Sequence, residues 1–290
     1  MSADIKSLRS SIRSVDSMLH LTTAMGLVAS SKIYRASEDM IKARQYADAL
    51  RTMTDTLSSC PECRRSPYMR ASGEGRARLV VIAGDRGLCG GYNSNVFRAA
   101  EEGPEAETIC IGKRACEHFG GELTLCDGYT CQQGHALAVR LCEDFTDGTY
   151  DRLGMISTDY VSMMTQEASI KWLLPFAPTE GSRAGGIDFE PDEVSVMNAA
   201  VVEYVYGMLM WGVRESFASE NAARDFAFVI GSTSRQLLMC TMSSAFHRRA
   251  SFASAGLRIL SISVSEIQGG NVAYCWSLRS ERSYPPLHSR

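Results

Sequence analysis

Near its N-terminus the chain reads IKSLRSSIRSVDSMLHLTTAMGLVAS over residues 5–30, and the spacing of its apolar residues continues to Leu50. Apolar or small residues recur there at alternating steps of three and four, with one threonine and no charge among them. The series is Ile5, Leu8, Ile12, Val15, Leu19, Thr22, Gly26, Ala29, Ile33, Ala36, Met40, Ala43, Ala47 and Leu50. This period is typical of a long helix that winds around a partner helix. Such a helix would extend about 70 Å, longer than a compact domain is wide, and so favours mechanical or scaffolding work.

Composition limits the classes of protein that this chain can represent. With 290 residues, 45% of them hydrophobic, it can hold one large domain or two ordinary ones. A net charge of -3 offers no basic surplus to nucleic acid or to an acidic membrane surface. The longest charge-free part of the first helix, residues 17–31, is too short and too polar to span a bilayer. Asp4 and Lys6 interrupt the start where a signal peptide would lie, so we expect a cytosolic chain.

The ten cysteines are expected to be reduced thiols rather than a disulfide framework. Cys60-Pro-Glu-Cys63 is a single CxxC with no second pair at the spacing of a zinc knuckle. A Pro-containing turn after the first helix is therefore the preferred interpretation, a zinc site is the alternative, and we expect no metal. Whether Cys126 and Cys131 form a redox switch stays open.

The chain divides into three patterns, and the middle one alternates short apolar runs with helical segments. The first helix is predicted from Asp4 to Leu57 and a linker from Cys60 to Gly75. Strands are then predicted at 78–83, 108–111, 123–125 and 152–157, and helices at 95–100, 113–119 and 136–144. This alternation favours a mostly parallel sheet covered by helices.

A second long helix is predicted from Val194, with apolar or small residues on one face. These are Met197, Val201, Val205, Met208 and Gly212, continued by Ser219, Ala222, Ala223 and Phe226. The predicted fold class is α/β: a long antiparallel coiled coil of the N- and C-terminal helices with an inserted Rossmann-like α/β domain. The expected domains are 1–58, 76–190, 191–230 and a divergent region 231–290.

A glycine-rich turn follows the first predicted strand. It reads Asp85-Arg86-Gly87-Leu88-Cys89-Gly90-Gly91-Tyr92-Asn93-Ser94-Asn95. Glycines between a strand and a helix can cradle a phosphate. However, neither the Gly-Lys-Ser/Thr of a Walker loop nor Gly-x-Gly-x-x-Gly is present. The glycines equally suit a tight turn, and we expect no cofactor.

This turn nevertheless resembles the signature of the gamma subunit of F-type ATP synthases, nearly residue for residue. Residues 23–32, TAMGLVASSK, are similar to that family's N-terminal helix segment, and residues 217–224, FASENAAR, to its C-terminal signature. Residues 166–175, which end in Trp-Leu-Leu-Pro, are similar to the end of its α/β domain. The resemblance covers roughly residues 1–226 with the motifs in order.

The resemblance implies a central-stalk rotor, a non-catalytic subunit of a proton-driven ATP synthase at the cytoplasmic face of the cell membrane. In that family the coiled coil stands inside a ring of alternating alpha and beta subunits, and the α/β domain lies against the epsilon subunit and the c ring. Carried over by position, Met25 lies where the helix passes close to the catalytic ring, and Lys32 follows on the same helix. Glu220 and Arg224 match the C-terminal motif. An ordinary solvated lysine explains Lys32 equally well. An i,i+4 ion pair on one helix face explains Glu220 and Arg224 equally well.

Past Phe226 the resemblance fades. Gly231-Ser232-Thr233 and then Gly256 predict interruptions of the second helix, and residues 257–264 alternate as a strand would. Residues 243–248 and 265–270 look like displaced family motifs, and residues 271–290 extend beyond them. True divergence and a reading-frame error both remain open.

The alternatives to a rotor are a coiled-coil scaffold with a nucleotide-binding-like domain, unrelated to energy coupling, or a coupling-defective divergent gamma subunit. Five scattered histidines argue against an enzyme.

Overall fold

The computed structural model describes residues 2–69, 75–176 and 189–255. Residues 22–231 form one compact unit, and the described parts of residues 1–21 and 232–290 belong to a second. The elements are α1 (Ser2–Ser58), 3₁₀ helices at Glu62–Arg65 and Pro67–Met69, β1 (Ala77–Ile82), α2 (Tyr92–Glu101), β2 (Ala106–Ile111), α3 (Lys113–Phe119), α4 (Cys131–Thr146), β3 (Arg152–Tyr160), β4 (Gln166–Leu174) and α5 (Glu193–Ala255).

The apolar seam of α1 is confirmed as its less exposed face. Between residues 6 and 50, every seam position is at least partly buried. Off the seam, every position in this range is exposed except Asp16, Lys32 and Ser37. A helix whose buried positions follow a period of 3.5 residues presents one narrow stripe to whatever packs against it.

Within residues 22–231, α1 packs against α5, and the two segments run in opposite directions. Higher residue numbers on α1 meet lower numbers on α5: Ser30 Oγ donates to Asp225 Oδ1 at 2.9 Å, Ala36 and Met40 pack with Ala218, and Tyr46 Oη donates to Glu203 Oε2 at 3.3 Å. Ala36 and Ala218 place two small side chains at this contact. The antiparallel arrangement predicted for these segments is therefore observed.

The sheet has the strand order β2-β1-β3-β4. β1 pairs in parallel with β2 and with β3, and β4 pairs antiparallel with β3. Every residue of β1 is buried because the sheet is covered on both faces. Leu79 and Val81 pack with Val96 of α2 and Ala115 of α3, whereas Val80 and Ile82 belong to the larger core formed with α4 and α5. A mostly parallel sheet covered by helices is confirmed.

The N-terminal half of α5 is the core helix of this unit. Two of its glycines allow close packing, because a Cβ on Gly212 would lie 2.6 Å from Met155 Sδ and one on Gly207 would lie 2.5 Å from Leu50 Cδ1. By length and composition alone, residues 193–231 could cross a membrane, with a hydropathy of 1.3 in the most apolar window. That window is 61% buried inside the fold, as expected for a core helix of a globular domain.

Two sequence predictions are wrong. Residues 123–125 form no strand, and Leu123 and Leu125 are exposed. This segment meets the residue after β2 through a hydrogen bond in which the Gly112 N–H donates to Thr124 O at 2.9 Å. The expected break at Gly231-Ser232-Thr233 does not occur, because α5 is helical through to Ala255. One glycine costs a helix only about 1 kcal/mol relative to alanine.

One further prediction is refined by the structure, and several concern residues that the structure does not describe. The predicted linker 60–75 contains the two 3₁₀ helices and buries Cys63 and Tyr68. The expectations for Gly256, the strand at 257–264, the motif at 265–270 and the tail 271–290 lie outside the described residues.

A buried acidic group joins α5 to the sheet. Glu215 is 2% exposed. Its Oε1 accepts the backbone N–H of Tyr160 at 3.3 Å, and its Oε2 lies 3.6 Å from Lys171 Nζ, which also pairs with Asp159. Burial raises the pKa of Glu215, and the charge of Lys171 only partly opposes this.

We predict that Glu215→Gln gains stability relative to the parent chain as pH rises. A raised pKa means that Glu215 holds its proton more tightly in the folded state than in the unfolded state. The stability that this proton contributes to the parent chain is present at acid pH and is lost as pH rises through the folded-state pKa. Urea unfolding at several pH values measures the difference between the two chains. Glu167→Gln, at an exposed position of β4, is the control and should show a flat difference; a flat difference for Glu215→Gln would contradict the prediction.

Candidate functional site

The glycine-rich turn after β1 is held in shape by its own polar side chains. The backbone N–H of Gly84 donates to Asn93 Oδ1 at 2.9 Å, and Asn93 Nδ2 donates to Arg86 O at 3.3 Å. Leu88 and Gly90 both adopt left-handed backbone conformations, with φ of 61° and 58°. Leucine rarely adopts this conformation. The turn thereby presents the Leu88 side chain to solvent, 69% exposed.

Asp85 organises the loops beside the turn. Its Oδ1 accepts the backbone N–H groups of Lys113 at 3.1 Å and Cys126 at 3.0 Å, and its Oδ2 accepts that of Asp127 at 2.7 Å. A carboxylate bonded by three backbone donors fixes the positions of all three segments. Asp85 is thus an internal tie of the α/β domain.

The turn is docked on α5 through a buried ion pair. Glu220 Oε1 accepts the backbone N–H of Arg86 at 3.0 Å and also pairs with Arg224. Arg224 Nε in turn donates to Gly87 O at 3.3 Å. The side chains of Glu220 and Arg224 are only 2% and 12% exposed. The i,i+4 pair therefore does more than stabilise its own helix, because both partners also bond the backbone of the turn.

A second set of contacts strengthens this docking. Tyr92 Oη donates to Ser216 O at 2.9 Å, and Cys89 and Tyr92 pack against Ala223. Burial raises the pKa of the Cys89 thiol, and the neighbouring Glu220 carboxylate raises it further. Cys89 is therefore a packing residue rather than a reactive thiol.

A groove of about 540 Å³ lies between α1, the turn, α3 and α5. Its lining combines exposed apolar side chains with cations and contains no carboxylate: Ala24, Met25, Val28, Ala29, Lys32, Arg86, Gly87, Leu88, Arg114, Asn221, Arg224 and Phe228. Three of the four cations also meet a carboxylate outside the lining, at Asp127, Glu117 and Glu220. The lining is thus apolar and cationic, and most of its cations are already paired.

The structure brings together most of the residues that the sequence singled out. Met25, Lys32, Arg86, Gly87, Leu88 and Arg224 line the groove, and Glu220 lies beneath it. Lys32 forms a partly exposed ion pair: its Nζ lies 3.1 Å from Asp127 Oδ2 and 5.9 Å from the centre of the Phe217 ring. Gly90, Gly91 and Asn95 instead line a separate cleft of about 400 Å³.

Sequence reasoning missed three contributors to the site. Arg114 comes from α3, Phe228 from α5, and Ser216 receives the Tyr92 hydroxyl. No local pattern marks Arg114 or Phe228, because they reach the groove only through tertiary packing. Tyr92 did carry a signal, since it lies inside the quoted turn.

In the part of the chain that the structure describes, no group of three or more His, Cys, Asp or Glu side chains is placed to hold a metal ion.

Comparisons with known proteins agree with this architecture. A family model described as ATP synthase matches residues 4–245. The ATP synthase gamma chain of Ruminococcus albus is 31% identical over 264 residues, covering 85% of this chain and 92% of that protein. The gamma chain of Acinetobacter baylyi is 30% identical over 296 residues, covering 93% and 99%.

Solved structures show the same fold at lower identity. The rotor of the Euglena gracilis mitochondrial ATP synthase superposes with a TM-score of 0.58 at 17% identity, covering 88% of this chain and 100% of that one. A chain from the central stalk and c ring of the Tetrahymena thermophila mitochondrial ATP synthase superposes with a TM-score of 0.58 at 20% identity. The match covers 73% of this chain and 99% of that one.

We predict that Glu220→Ala lowers the free energy of unfolding by about 3 kcal/mol, because removing one partner of a buried pair leaves the other charge uncompensated. Chemical denaturation of the purified chain measures the loss. Glu117→Ala is the matched control: Glu117 pairs with Arg114 and Lys113 at the surface, where such pairs contribute less than about 1 kcal/mol. Equal losses in the two variants would show that the Glu220 pair does not hold the turn.

Proposed function

Because this chain belongs to the ATP synthase gamma-chain family, we propose that it is the central-stalk rotor subunit that transmits rotation of a membrane c ring to a catalytic alpha/beta ring. The family match over residues 4–245 carries this proposal, and the packing of α1 against α5 supports it. The chain would be a non-catalytic component of the complex, and proton flow would supply the rotation.

The paired helices would form the shaft. The continuous seam of α1 and the antiparallel contacts within residues 22–231 are the features that an antiparallel coiled coil requires. The parallel core of the sheet with helices on both faces supports a Rossmann-like interpretation of the inserted domain, although β4 is antiparallel. The domain limits 1–58, 76–190, 191–230 and 231–290 belong to this proposal.

The groove would contact the catalytic ring. Met25 and Leu88 offer apolar surface that is 38% and 69% exposed, and the lining contains cations without carboxylates. This chemistry suits a partner segment that combines apolar and acidic residues. Met25, Lys32 and Arg86 would touch that segment directly, whereas Glu220 and Arg224 would act by holding the turn that carries Leu88.

Further partners complete the proposed setting. The inserted domain would lie against the epsilon subunit and the c ring, and the chain would be peripheral to the membrane, at its cytoplasmic face, through the complex alone. We propose no nucleic-acid partner and no cofactor. A coupling-defective gamma subunit is less well supported than a functional one, because α5 continues as a helix through Gly231 to Ala255.

We predict that Met25→Lys lowers ATP synthesis per proton while the complex still assembles. A new charge in the groove would add an ion pair to an acidic partner, and each 1.4 kcal/mol of added attraction tightens that contact about tenfold. The measurement is the ratio of ATP formed to protons translocated in membrane vesicles at a fixed proton gradient.

Met53→Lys is the control for this experiment, since Met53 lies on the same helix with 41% exposure and does not line the groove. It should leave synthesis near the parent value. Unchanged synthesis in Met25→Lys would remove the coupling role of the groove.

We also predict that the purified chain neither binds nor hydrolyses ATP but assembles with alpha and beta subunits. Calorimetric titration with ATP and a phosphate-release assay test the first part, and co-purification with the two subunits tests the second. A generic scaffold would show no preference for these subunits, and turnover by the chain alone would contradict a rotor without catalytic activity.

A further inference from the structure

The segment that follows α1 contains two thiols in one tight turn. The backbone N–H of Cys63 donates to Cys60 O at 3.2 Å, which closes an i to i+3 turn at the entry of the first 3₁₀ helix. In such a turn the two Cα atoms lie within about 7 Å, and a disulfide needs about 4.4–6.8 Å. The backbone turn therefore brings the two Cα atoms close to the separation that a disulfide needs.

The two thiols differ in their access to solvent. Cys63 is fully buried, with 0% exposure, whereas Cys60 is partly exposed. Cys63 Sγ–H donates to the carbonyl of Glu193, the first residue of α5, at 3.5 Å. This thiol thus connects the segment after α1 with the start of α5.

We infer that Cys60 and Cys63 form a reversible peroxide-responsive dithiol, in which Cys60 is oxidised first and Cys63 closes the disulfide. Burial raises the pKa of Cys63 to about 11, with the neighbouring Cys60 adding to the effect, so Cys63 itself is protected from direct oxidation. This inference does not depend on the proposed function.

The chemistry balances with hydrogen peroxide as the oxidant. The Cys60 thiolate sulfur attacks one peroxide oxygen, the O–O bond breaks, and a sulfenic acid forms; the hydroxide that leaves takes up the proton that the Cys60 thiol lost and becomes water. The Cys63 sulfur then attacks the Cys60 sulfur, the S–O bond breaks, and the departing oxygen leaves as water with the Cys63 proton. Two thiols are oxidised to one disulfide, and one peroxide is reduced to two waters.

Oxidation would also change the contact with α5. A disulfide sulfur has no hydrogen to donate, so the bond from Cys63 to the Glu193 carbonyl is lost when the disulfide forms. We therefore expect the first turn of α5 to open more often in the oxidised chain.

The test treats the reduced full-length chain with hydrogen peroxide, alkylates the remaining thiols and maps the peptides by mass spectrometry. Exposed Cys131 reports that the peroxide dose is sufficient. We expect the peptide with both cysteines to become lighter by two hydrogens, to resist alkylation and to recover fully with dithiothreitol. A wild-type chain with Cys131 oxidised and both Cys60 and Cys63 still alkylatable would overturn the inference, as would a sulfinic acid at Cys60 beside a reduced Cys63.

Single variants separate the two roles. Cys63→Ser should leave Cys60 as a sulfenic acid that dimedone captures, and Cys60→Ser should leave Cys63 reduced at the same dose. Cys110 and Cys116, two further cysteines that are both buried, are the internal control and should stay reduced. Oxidation of Cys63 in Cys60→Ser would contradict the assigned order.

Amide hydrogen exchange at residues 193–197 gives an independent structural readout. It should become faster on oxidation of the parent chain and equally fast in Cys63→Ala without any oxidant, because both lack the thiol donor. It should stay unchanged on oxidation of Cys60→Ser. Faster exchange in oxidised Cys60→Ser would show that the change arises elsewhere and would refute the link to Cys63.

Discussion

The buried pair of Glu220 and Arg224 determines whether the glycine-rich turn and α5 behave as one body. Glutamate bonds the turn at the N–H of Arg86, and arginine bonds it at the carbonyl of Gly87, so the pair spans two consecutive residues of the turn. Since neither charge has appreciable access to water, each depends on the other and on the turn's backbone. This docking lies beside the groove, whose lining includes Leu88 and Arg224.

The same logic explains why small residues recur where elements meet. Ala36 and Ala218 allow α1 and α5 to approach closely, and the glycines at 207 and 212 allow Leu50 and Met155 to pack directly on the α5 backbone. A subunit that must turn inside a complex benefits when its own parts cannot shift against one another. Close packing gives that rigidity, because displacement of interlocked side chains costs dispersion energy at every contact.

Much of the fold could be predicted from spacing alone. The seam of α1 was predictable because burial on a helix follows its period, and β1 because a fully buried strand reads as a continuous apolar run. The prediction of a strand at 123–125 was wrong. Its apolar residues Leu123 and Leu125 are exposed and do not pack in the sheet. The helix break predicted at Gly231 was wrong because the helix tolerates the low helix propensity of a single glycine. In the candidate site, Met25 and the turn were found by resemblance, whereas Arg114 and Ser216 could not be, because only tertiary packing brings them there.

The absence of any break in α5 between its core residues and its groove residues has a mechanical consequence. Val201 and Leu209 lie in the main core with the sheet, and Glu220 and Phe228 lie at the groove, all on one hydrogen-bonded helix within residues 193–231. A torque applied to the sheet would therefore reach the groove through covalent backbone rather than through a hinge. The helix that buries the main core would then be the same element that carries the rotation to the groove.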